Sequence, residues 1–318
     1  MTMFAGFTLP DELRLLKEAV ASCPNDEPSL HAGLNLLAQL TLMAGDTEQA
    51  RGYAQRALVE AGDQPVRRAA ALVTLARVTW ERDQRDDAVA GSLDEALALA
   101  ATAGVAEVEA DALRVKATVA LKHGSEDADY RAANALFERA EALYRQTDEP
   151  RWVHRVLLSR SGCLTGLKRY DEARQMLARC EQYFAGLNSV ADLIAVANMT
   201  GYLESGQERW QEAVAAGRRC VQLAWDRHAH LSLAVALLNL PDALLMLGEV
   251  AVAARLMPFA AHFWERGIGP LSASDVATVE QVRKLAAKRL GAKRTATLWA
   301  EGAKLSLAQA VHLALTGG

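Results

Sequence analysis

Apolar residues recur at three- and four-residue spacings along most of the chain, and small residues stand at fixed places between them. The stretch VHRVLLSRSGCLTGL is typical, because its apolar positions fall on one side of a helix. The turn KRY and a second such stretch, DEARQMLARCEQYFAGL, follow it. This pattern predicts two antiparallel helices, and the small side chain of Ala173 allows their close approach.

The same arrangement occurs six times. The small residue near the start of each second helix stands at Ala50, Ala88, Ala133, Ala173, Ala213 and Ala253, with gaps of 38, 45, 40, 40 and 40 residues. Three consecutive equal gaps indicate a true repeat, since unrelated helices would not keep this register. One unit cannot bury its apolar face alone, so we expect the units to stack into a right-handed superhelix with a concave inner surface.

Each unit resembles the tetratricopeptide repeat. The shared features are a turn, an aromatic residue, a small residue three positions later and another seven further on, as in Tyr170, Ala173 and Cys180. The usual repeat has about 34 residues, so the longer spacing here indicates longer helices or links. The resemblance covers residues 30–267 and implies an all-α solenoid of about six helix pairs. Residues 1–29 and 268–318 are expected to be helical caps of the same single domain.

The end of the chain has a more specific resemblance. Residues 254–315 resemble the C-terminal end of the helical sensor region in large bacterial signal-transduction ATPases that act as transcription regulators. The elements that carry this likeness are Pro270 in a short link, Leu290–Gly291, Trp299–Gly302 and Leu305–Leu307. The sequence contains no G-x-x-x-x-G-K-[ST] phosphate loop and no basic recognition helix before the repeats, so it resembles the sensor region alone.

The terminal segments show how the stack is capped. Ser306 and Gln309 have the spacing of a capping box, which predicts a final helix with an apolar face between Leu305 and Leu315. Trp299 and that face are expected to be buried against the preceding repeats. Pro241 and Pro258 fall inside predicted helices of the sixth unit, where each is expected to kink or break its helix.

Composition narrows the classes of function. A net charge of −4 and a pI near 6.0 disfavour direct nucleic-acid binding, which needs a basic surface. The 4 cysteines form no close pairs, as expected for reduced thiols in the cytoplasm. The N-terminal stretch MTMFAGFTLPDE lacks the features of a signal peptide, and no run approaches about 20 apolar residues. We therefore expect a cytoplasmic protein without a membrane span.

Motifs for catalysis or metal binding are absent from the sequence. It has no HExxH, no cysteine pair with zinc spacing and no G-x-S-x-G, so no enzyme activity, cofactor or metal is predicted. The one local cluster, Asp226, His228 and His230, could meet a metal ion or form a polar turn between units. Isolated motifs of this kind are weak evidence, and the turn is favoured.

The concave face is the better candidate for a site. In this repeat class the first helix of each unit lines that face, and its polar positions here are Asn35, Gln39, Arg77, Arg114, Arg155, Ser159, Asn198, Tyr202, Asn239 and Asp242. Such a line of side chains can hold an extended peptide by its backbone and its carboxylates. The three arginines favour an acidic or phosphorylated partner.

The sequence thus predicts a non-catalytic protein- or peptide-binding protein that serves as sensor or adaptor in a bacterial regulatory system. A general scaffold or chaperone-like adaptor is the alternative. A small-molecule sensor would need a deep pocket lined by aromatic residues such as Trp80 and Tyr202. A helical-solenoid enzyme would need converging acids or histidines, whereas Asp242 is the only acid on the predicted face.

Overall fold

The structure, a computed structural model, describes residues 8–24, 28–83, 86–124, 126–147 and 149–317. Sixteen α-helices and no strand occur in these ranges. The chain divides into two compact units at Asn188 and Ser189. The all-α prediction is confirmed, and each unit is a stack of antiparallel helix pairs.

The first unit contains nine helices. They are α1 (Leu9–Ser22), α2 (Pro28–Met43), α3 (Thr47–Ala61), α4 (Pro65–Asp83), α5 (Asp86–Ala103), α6 (Ala106–His123), α7 (Asp127–Tyr144), α8 (Pro150–Gly166) and α9 (Tyr170–Gly186). Each helix from α2 to α8 packs against the next one along the chain. In addition, α2 contacts α4, α4 contacts α6, and α6 contacts α8. The first helices of successive pairs therefore lie side by side.

The second unit contains seven helices. They are α10 (Val190–Gly206), α11 (Trp210–Asp226), α12 (His230–Leu247), α13 (Val250–Gly267), α14 (Ala273–Leu290), α15 (Ala292–Gly302) and α16 (Leu307–Thr316). The helix pairs α10–α11 and α12–α13 continue the repeat, and α10 contacts α12. The last three helices pack on these pairs, with α15 and α16 both against α13.

The small residues at the start of the second helices are buried as predicted. Their exposed fractions are 0% for Ala50, Ala133, Ala173 and Ala253 and 2% for Ala213. The side chain of Ala88 lies outside the described part of the chain. Because each alanine offers only a methyl group, the paired helices approach closely at these points.

The 40-residue spacing follows from the lengths of the helices. Helices α8 to α11 span 17 residues each, and three residues separate consecutive ones. The middle residue of the three-residue turns within helix pairs, Lys168 and Glu208, has a φ of 60° and 59°. This left-handed conformation is uncommon for residues other than glycine. The sequence pattern left longer helices or longer links as alternatives, and the structure shows longer helices joined by short turns.

The two prolines of the sixth unit do not break their helices, so that part of the prediction is wrong. Helix α12 runs through Pro241 and α13 runs through Pro258. Both prolines are buried in the apolar interior of the second unit. Packing on both sides thus outweighs the hydrogen bond that each proline removes.

The C-terminal helices are capped as predicted. Ser306 N–H donates to Gln309 Oε1 at 2.8 Å, and Gln309 N–H donates to Ser306 Oγ at 3.3 Å. The buried face of α16 consists of Ala310, Val311, Leu313 and Ala314. Trp299, in contrast, is only half-buried, and Arg283 Cζ lies 5.3 Å from its ring centre. The expectation that Trp299 is a buried anchor is wrong, because Thr295 and Gly302 are the buried residues of α15.

Within the described residues, α12 is long and apolar enough to cross a membrane by length and composition. Its mean hydropathy is 1.6 over 18 residues, and 56% of that window is buried inside the structure. The helix packs against both α11 and α13. A central helix of a helical core has the same composition, and its burial here favours that role.

Candidate functional site

Three of the predicted arginines lie on neighbouring helices of the first unit. Arg77 lies on α4, Arg114 on α6 and Arg155 on α8, and these helices pack side by side. We call the surface formed by α2, α4, α6 and α8 the first-helix face. Trp152 of α8 contacts two of the arginines, since Arg155 Cζ is 4.6 Å and Arg114 Cζ 5.5 Å from its ring centre. Cation–π contacts therefore hold both guanidinium groups at the same indole.

Arg114 is fixed by a carboxylate one turn earlier on its own helix. Arg114 Nη2–H and Nε–H donate to Asp111 Oδ1 at 2.7 Å and 3.1 Å. The hydroxyl of Tyr144 donates to the same oxygen at 2.8 Å. Burial alone would lower the pKa of Arg114, but Asp111 and Tyr144 outweigh it and hold that pKa above its ordinary value. Arg114 is therefore a permanent cation with a fixed position.

Tyr144 extends the cluster toward the core. It is fully buried at 0% exposure, and its ring stacks on Trp152 with the centroids 5.8 Å apart. Burial raises the pKa of the Tyr144 phenol, and the negative charge of Asp111 raises it further. The phenol therefore stays protonated and continues to donate to Asp111.

Arg77 has a different environment from Arg114. It is half-buried on α4, and its pKa is lowered to about 10, mainly by burial and also by the positive charges of Arg114 and Arg155. Glu81 and Asp111 act in the opposite direction. Asp111 already accepts three hydrogen bonds, and Glu81 Oε2 lies 3.8 Å from Lys122 Nζ.

The other predicted residues of the first unit are Asn35 and Gln39 on α2 and Ser159 on α8. Asn35 is only 8% exposed, and its Nδ2–H donates to the His31 carbonyl oxygen at 3.2 Å. Gln39 is half-buried on the same helix. Ser159 Oγ donates to the Arg155 carbonyl oxygen at 3.3 Å, one turn beyond the arginine. Within the described part of the chain, neither Asn35 nor Gln39 forms a hydrogen bond with the arginines.

The sequence interpretation missed three members of the cluster: Asp111, Tyr144 and Trp152. Two of them had a detectable signal, because Asp111 precedes Arg114 by three residues and Trp152 precedes Arg155 by three. Residues three apart are neighbours on a helix surface. Tyr144 belongs to a second helix, α7, and only the packing of α7 on α6 brings it to Asp111.

The predicted residues of the second unit lie on α10 and α12. Asn198 is half-buried and Tyr202 is exposed on α10, whereas Asn239 is exposed and Asp242 is half-buried on α12. Asp242 Oδ1 is buried and accepts no hydrogen bond from any described residue. Burial raises the pKa of this carboxyl group. Asp242 is therefore a carboxylate held in an unfavourable, apolar environment.

The histidine cluster between the fifth and sixth units takes the form of a turn. Asp226 Oδ1 accepts a hydrogen bond from Gln222 at 2.8 Å. His228 has a φ of 56° in the turn, and the His230 ring packs against Phe263 at 6.4 Å. Within the described residues, no group of three or more His, Cys, Asp or Glu side chains is arranged to hold a metal ion.

The aromatic pocket required for a small-molecule sensor is not formed by the residues named for it. Trp80 is 4% exposed and packs in the core with Ala76 and Leu93, and Tyr202 belongs to the other unit. A surface cavity of about 240 Å³ is lined mainly by charged and polar side chains of α7 and the α8–α9 turn. A second surface cavity, of about 540 Å³ on α15 and its C-terminal turn, has no aromatic residue in its lining. Small-molecule pockets are lined mainly by hydrophobic and aromatic side chains.

These features define the class: an all-α tetratricopeptide-like solenoid of helix pairs with a cationic cluster on its first unit. The sequence matches no protein-family model and no curated protein. Among solved structures, a Rap protein complexed with competence and sporulation factor is similar, with a TM-score of 0.63 and 14% sequence identity. The match covers 97% of this chain and 81% of the Rap chain. This likeness shows that the two proteins share a fold.

Proposed function

We propose that this protein is a non-catalytic adaptor or sensor that binds a protein or peptide within a bacterial regulatory system in the cytoplasm. The observation that carries the proposal is that Arg114 and Arg155, from two different first helices, both contact Trp152, while Arg77 lies on the adjacent first helix α4.

The structural likeness supports the binding role. The Rap protein was solved in complex with competence and sporulation factor, so a chain of this fold can bind such a factor. Fold alone does not assign function. In this chain the arginines of the first-helix face are the feature that supports binding, and the structural likeness supports only the general class of activity.

The resemblance of the C-terminal segment to ATPase sensor regions supports the more specific proposal that the protein is a sensor. The elements of that resemblance fall at helix boundaries: Pro270 in the link after α13, Leu290–Gly291 at the end of α14, and Trp299–Gly302 at the end of α15. A sensor region has to present a ligand-binding surface on a stable helical stack. Direct binding to nucleic acid or membranes is not part of this proposal, since the chain carries a net charge of −4.

A capture experiment with a matched control tests the proposal. The immobilised full chain is compared with Arg114→Glu/Arg155→Glu and with Arg56→Glu/Arg179→Glu, and retained proteins and peptides are identified by mass spectrometry. Arg56 and Arg179 are exposed on the second helices α3 and α9, so the control makes the same change in net charge away from the first-helix face.

We expect the unchanged chain and the control to retain the same partner, and the Arg114→Glu/Arg155→Glu variant to lose it. Retention of the partner by that variant, or no specific partner for the unchanged chain, would show that the first-helix face is not the binding surface. Circular dichroism of all three proteins checks that each remains folded.

A further inference from the structure

We propose that the exposed basic surface of α14 and α15 is a second docking site, which receives an acidic segment of a partner protein. We call this surface the basic corner. Its members, all exposed, are Arg283, Lys284, Lys288, Lys293, Arg294 and Lys304. The basic corner belongs to the second unit and shares no helix with the first-helix face, so this proposal goes beyond the function proposed above and does not depend on it.

Charge is unevenly distributed along the second unit. Residues 189–282 contain 6 basic and 10 acidic residues, whereas residues 283–304 contain 7 basic residues and 1 acidic residue. The short segment therefore has a formal charge of +6 within a chain whose net charge is −4. Since α14 and α15 pack on each other, the segment forms a local concentration of positive charge.

Carboxylates of the protein do not neutralise the basic corner. Glu301, the acid of the segment, has its Oε2 3.5 Å from Nε of Arg255 on α13. Glu280 is exposed one turn before Lys284, and no ion pair joins the two within the described residues. The same holds for the charged groups of five members, which have no ion pair or hydrogen bond with any described residue: Lys284, Lys288, Lys293, Arg294 and Lys304.

The two other basic residues of the segment, Arg283 and Arg289, have neutral partners. Arg283 Cζ lies 5.3 Å from the ring centre of Trp299 on α15. Arg289 Nη1–H donates to the carbonyl oxygen of Leu245 on α12. An indole ring and a carbonyl oxygen orient a guanidinium group without cancelling its charge. The positive charge of the segment is therefore available to an anion from outside.

The stability of α15 does not account for its basic residues. Lys293 and Arg294 lie in the first turn of α15, which contains no acidic residue. The partial positive charge of a helix N-terminus repels cations, so both residues are unfavourable there. Lys288 and Arg289, in contrast, lie in the last turn of α14, where cations are favourable. Binding of an acidic partner gives Lys293 and Arg294 a role that helix stability does not.

A surface cavity provides a place for the acidic segment. The cavity of about 540 Å³ on α15 and its C-terminal turn is lined by Lys293, Ala296, Thr297, Ala300, Glu301 and Lys304. The small side chains leave room between the two lysines, and each ammonium group can donate to a carboxylate. A carboxylate in this cavity would therefore meet cations without displacing an existing ion pair of either lysine.

The surroundings of the basic corner favour a protein over a nucleic acid. A nucleic acid continues its negative charge beyond the corner, where a chain with a net charge of −4 repels it. The uncharged side chains of Ala296, Thr297 and Ala300 between the lysines match a protein interface, in which a less polar centre is surrounded by polar and charged groups.

Defined probes test the proposal on the full chain. They are a labelled alanine-based peptide with Glu at every fourth position, the same peptide with Gln instead, a labelled DNA duplex, and vesicles that contain phosphatidylserine. Fluorescence anisotropy measures the first three, and co-sedimentation measures the vesicles. The proteins are the unchanged chain, Lys293→Gln/Lys304→Gln and the control Arg56→Gln/Arg179→Gln, which removes two exposed charges from α3 and α9.

We expect the Glu peptide to bind the unchanged chain and the control at least about tenfold more tightly than the Gln peptide at low ionic strength. This preference should shrink as salt is added, because the basic corner is exposed. Lys293→Gln/Lys304→Gln should lose the preference. Its melting temperature, measured by circular dichroism, should match that of the unchanged chain, because neither lysine side chain has a partner among the described residues.

Four binding results would overturn the proposal. They are no binding of the Glu peptide to the unchanged chain, equal binding of the two peptides, a preference that survives Lys293→Gln/Lys304→Gln, and tighter binding of the duplex or the vesicles than of the Glu peptide. Sedimentation velocity adds a fifth, since a salt-sensitive dimer that this variant lacks would identify the occupant as a second copy of the chain. The first-helix face is tested separately by Arg114→Glu/Arg155→Glu.

Discussion

Gly302 shows how a single residue determines where the C-terminal helices pack. A Cβ atom built at this position would lie 2.0 Å from the carbonyl oxygen of Arg255 and 2.8 Å from Cγ of Pro258. Helix α15 can therefore approach α13 only with glycine at this point. Because of this close approach, the end of α15 covers Pro258 in the middle of α13.

We predict that Gly302→Ala lowers the free energy of unfolding by roughly 1–3 kcal/mol, because the backbone must shift to admit the methyl group. The matched control is Gly52→Ala on α3, where an added Cβ meets nothing within 4 Å. That change should raise stability by about 0.5–1 kcal/mol, since alanine favours the helix over glycine. Differential scanning calorimetry of both variants measures the two effects. Equal effects at the two positions would refute the packing argument.

Asp242 is a second residue whose environment has a measurable consequence. Burial raises the pKa of its carboxyl group in the folded protein above the value near 3.9 that an unfolded chain has. The folded state therefore binds a proton that the unfolded state has released, and the contribution of Asp242 to stability falls as the pH rises through this window. Above the raised pKa, the folded protein contains a poorly solvated charge.

We expect Asp242→Asn to be more stable than the unchanged protein at pH 7. This advantage should shrink as the pH falls through the raised pKa of Asp242, because the carboxyl group then becomes neutral in the folded state. Urea unfolding between about pH 4 and pH 7 measures it. Glu265→Gln, at an exposed position of α13, is the control and should change stability little at any pH. A pH-independent difference for Asp242→Asn would contradict the account.

At the scale of elements, the repeated helix pairs could be predicted from the sequence, whereas the continuity of two helices and the packing of the C-terminal helices could not. Helix pairs, buried alanines and the final capping box all follow from apolar periodicity and spacing, which are local properties of the sequence. The continuity of α12 and α13 through Pro241 and Pro258 was not predictable in this way, because it depends on packing from other helices. The half-exposed position of Trp299 likewise depends on how α14 and α15 meet.

Arg218 illustrates an element-level contact that no local pattern reveals. Its Nε–H donates to the Ala314 carbonyl oxygen at 3.0 Å, and its Nη2–H donates to Glu249 Oε2 at 2.8 Å. The residue thus joins α11 to the end of α16 and to the residue before α13. The pair with Glu249 is partly exposed, with side-chain exposures of 27% and 30%, so its contribution is modest.

We predict that Arg218→Gln destabilises the docking of α16 by roughly 1 kcal/mol. Amide hydrogen exchange in residues 307–316 should become several-fold faster, whereas α10 and α12 should change little. Arg294→Gln on the exposed side of α15 serves as control, since it removes the same charge in the same unit. Unchanged exchange in α16 would mean that its apolar face alone, Ala310, Val311, Leu313 and Ala314, holds the helix in place.

At the scale of the whole molecule, more of the fold than of the candidate site could be predicted from the sequence. The sequence pattern predicted Arg77, Arg114 and Arg155 on one face, and in the structure Arg114 and Arg155 both contact Trp152, with Arg77 on the adjacent helix α4. It did not indicate that Trp152 and Tyr144 would organise them, since those contacts join residues of different helices. Asn35 had the same kind of sequence support, but its amide is buried against His31.

The central claim is that the first-helix face of the first unit binds the partner, and amide hydrogen exchange of the full chain with and without its captured partner tests it most directly. We predict slower exchange in α4, α6 and α8 around Arg77, Arg114 and Arg155, with little change in the second helices α3, α5 and α7. Protection confined to the second helices, with α4, α6 and α8 unchanged, would contradict the account.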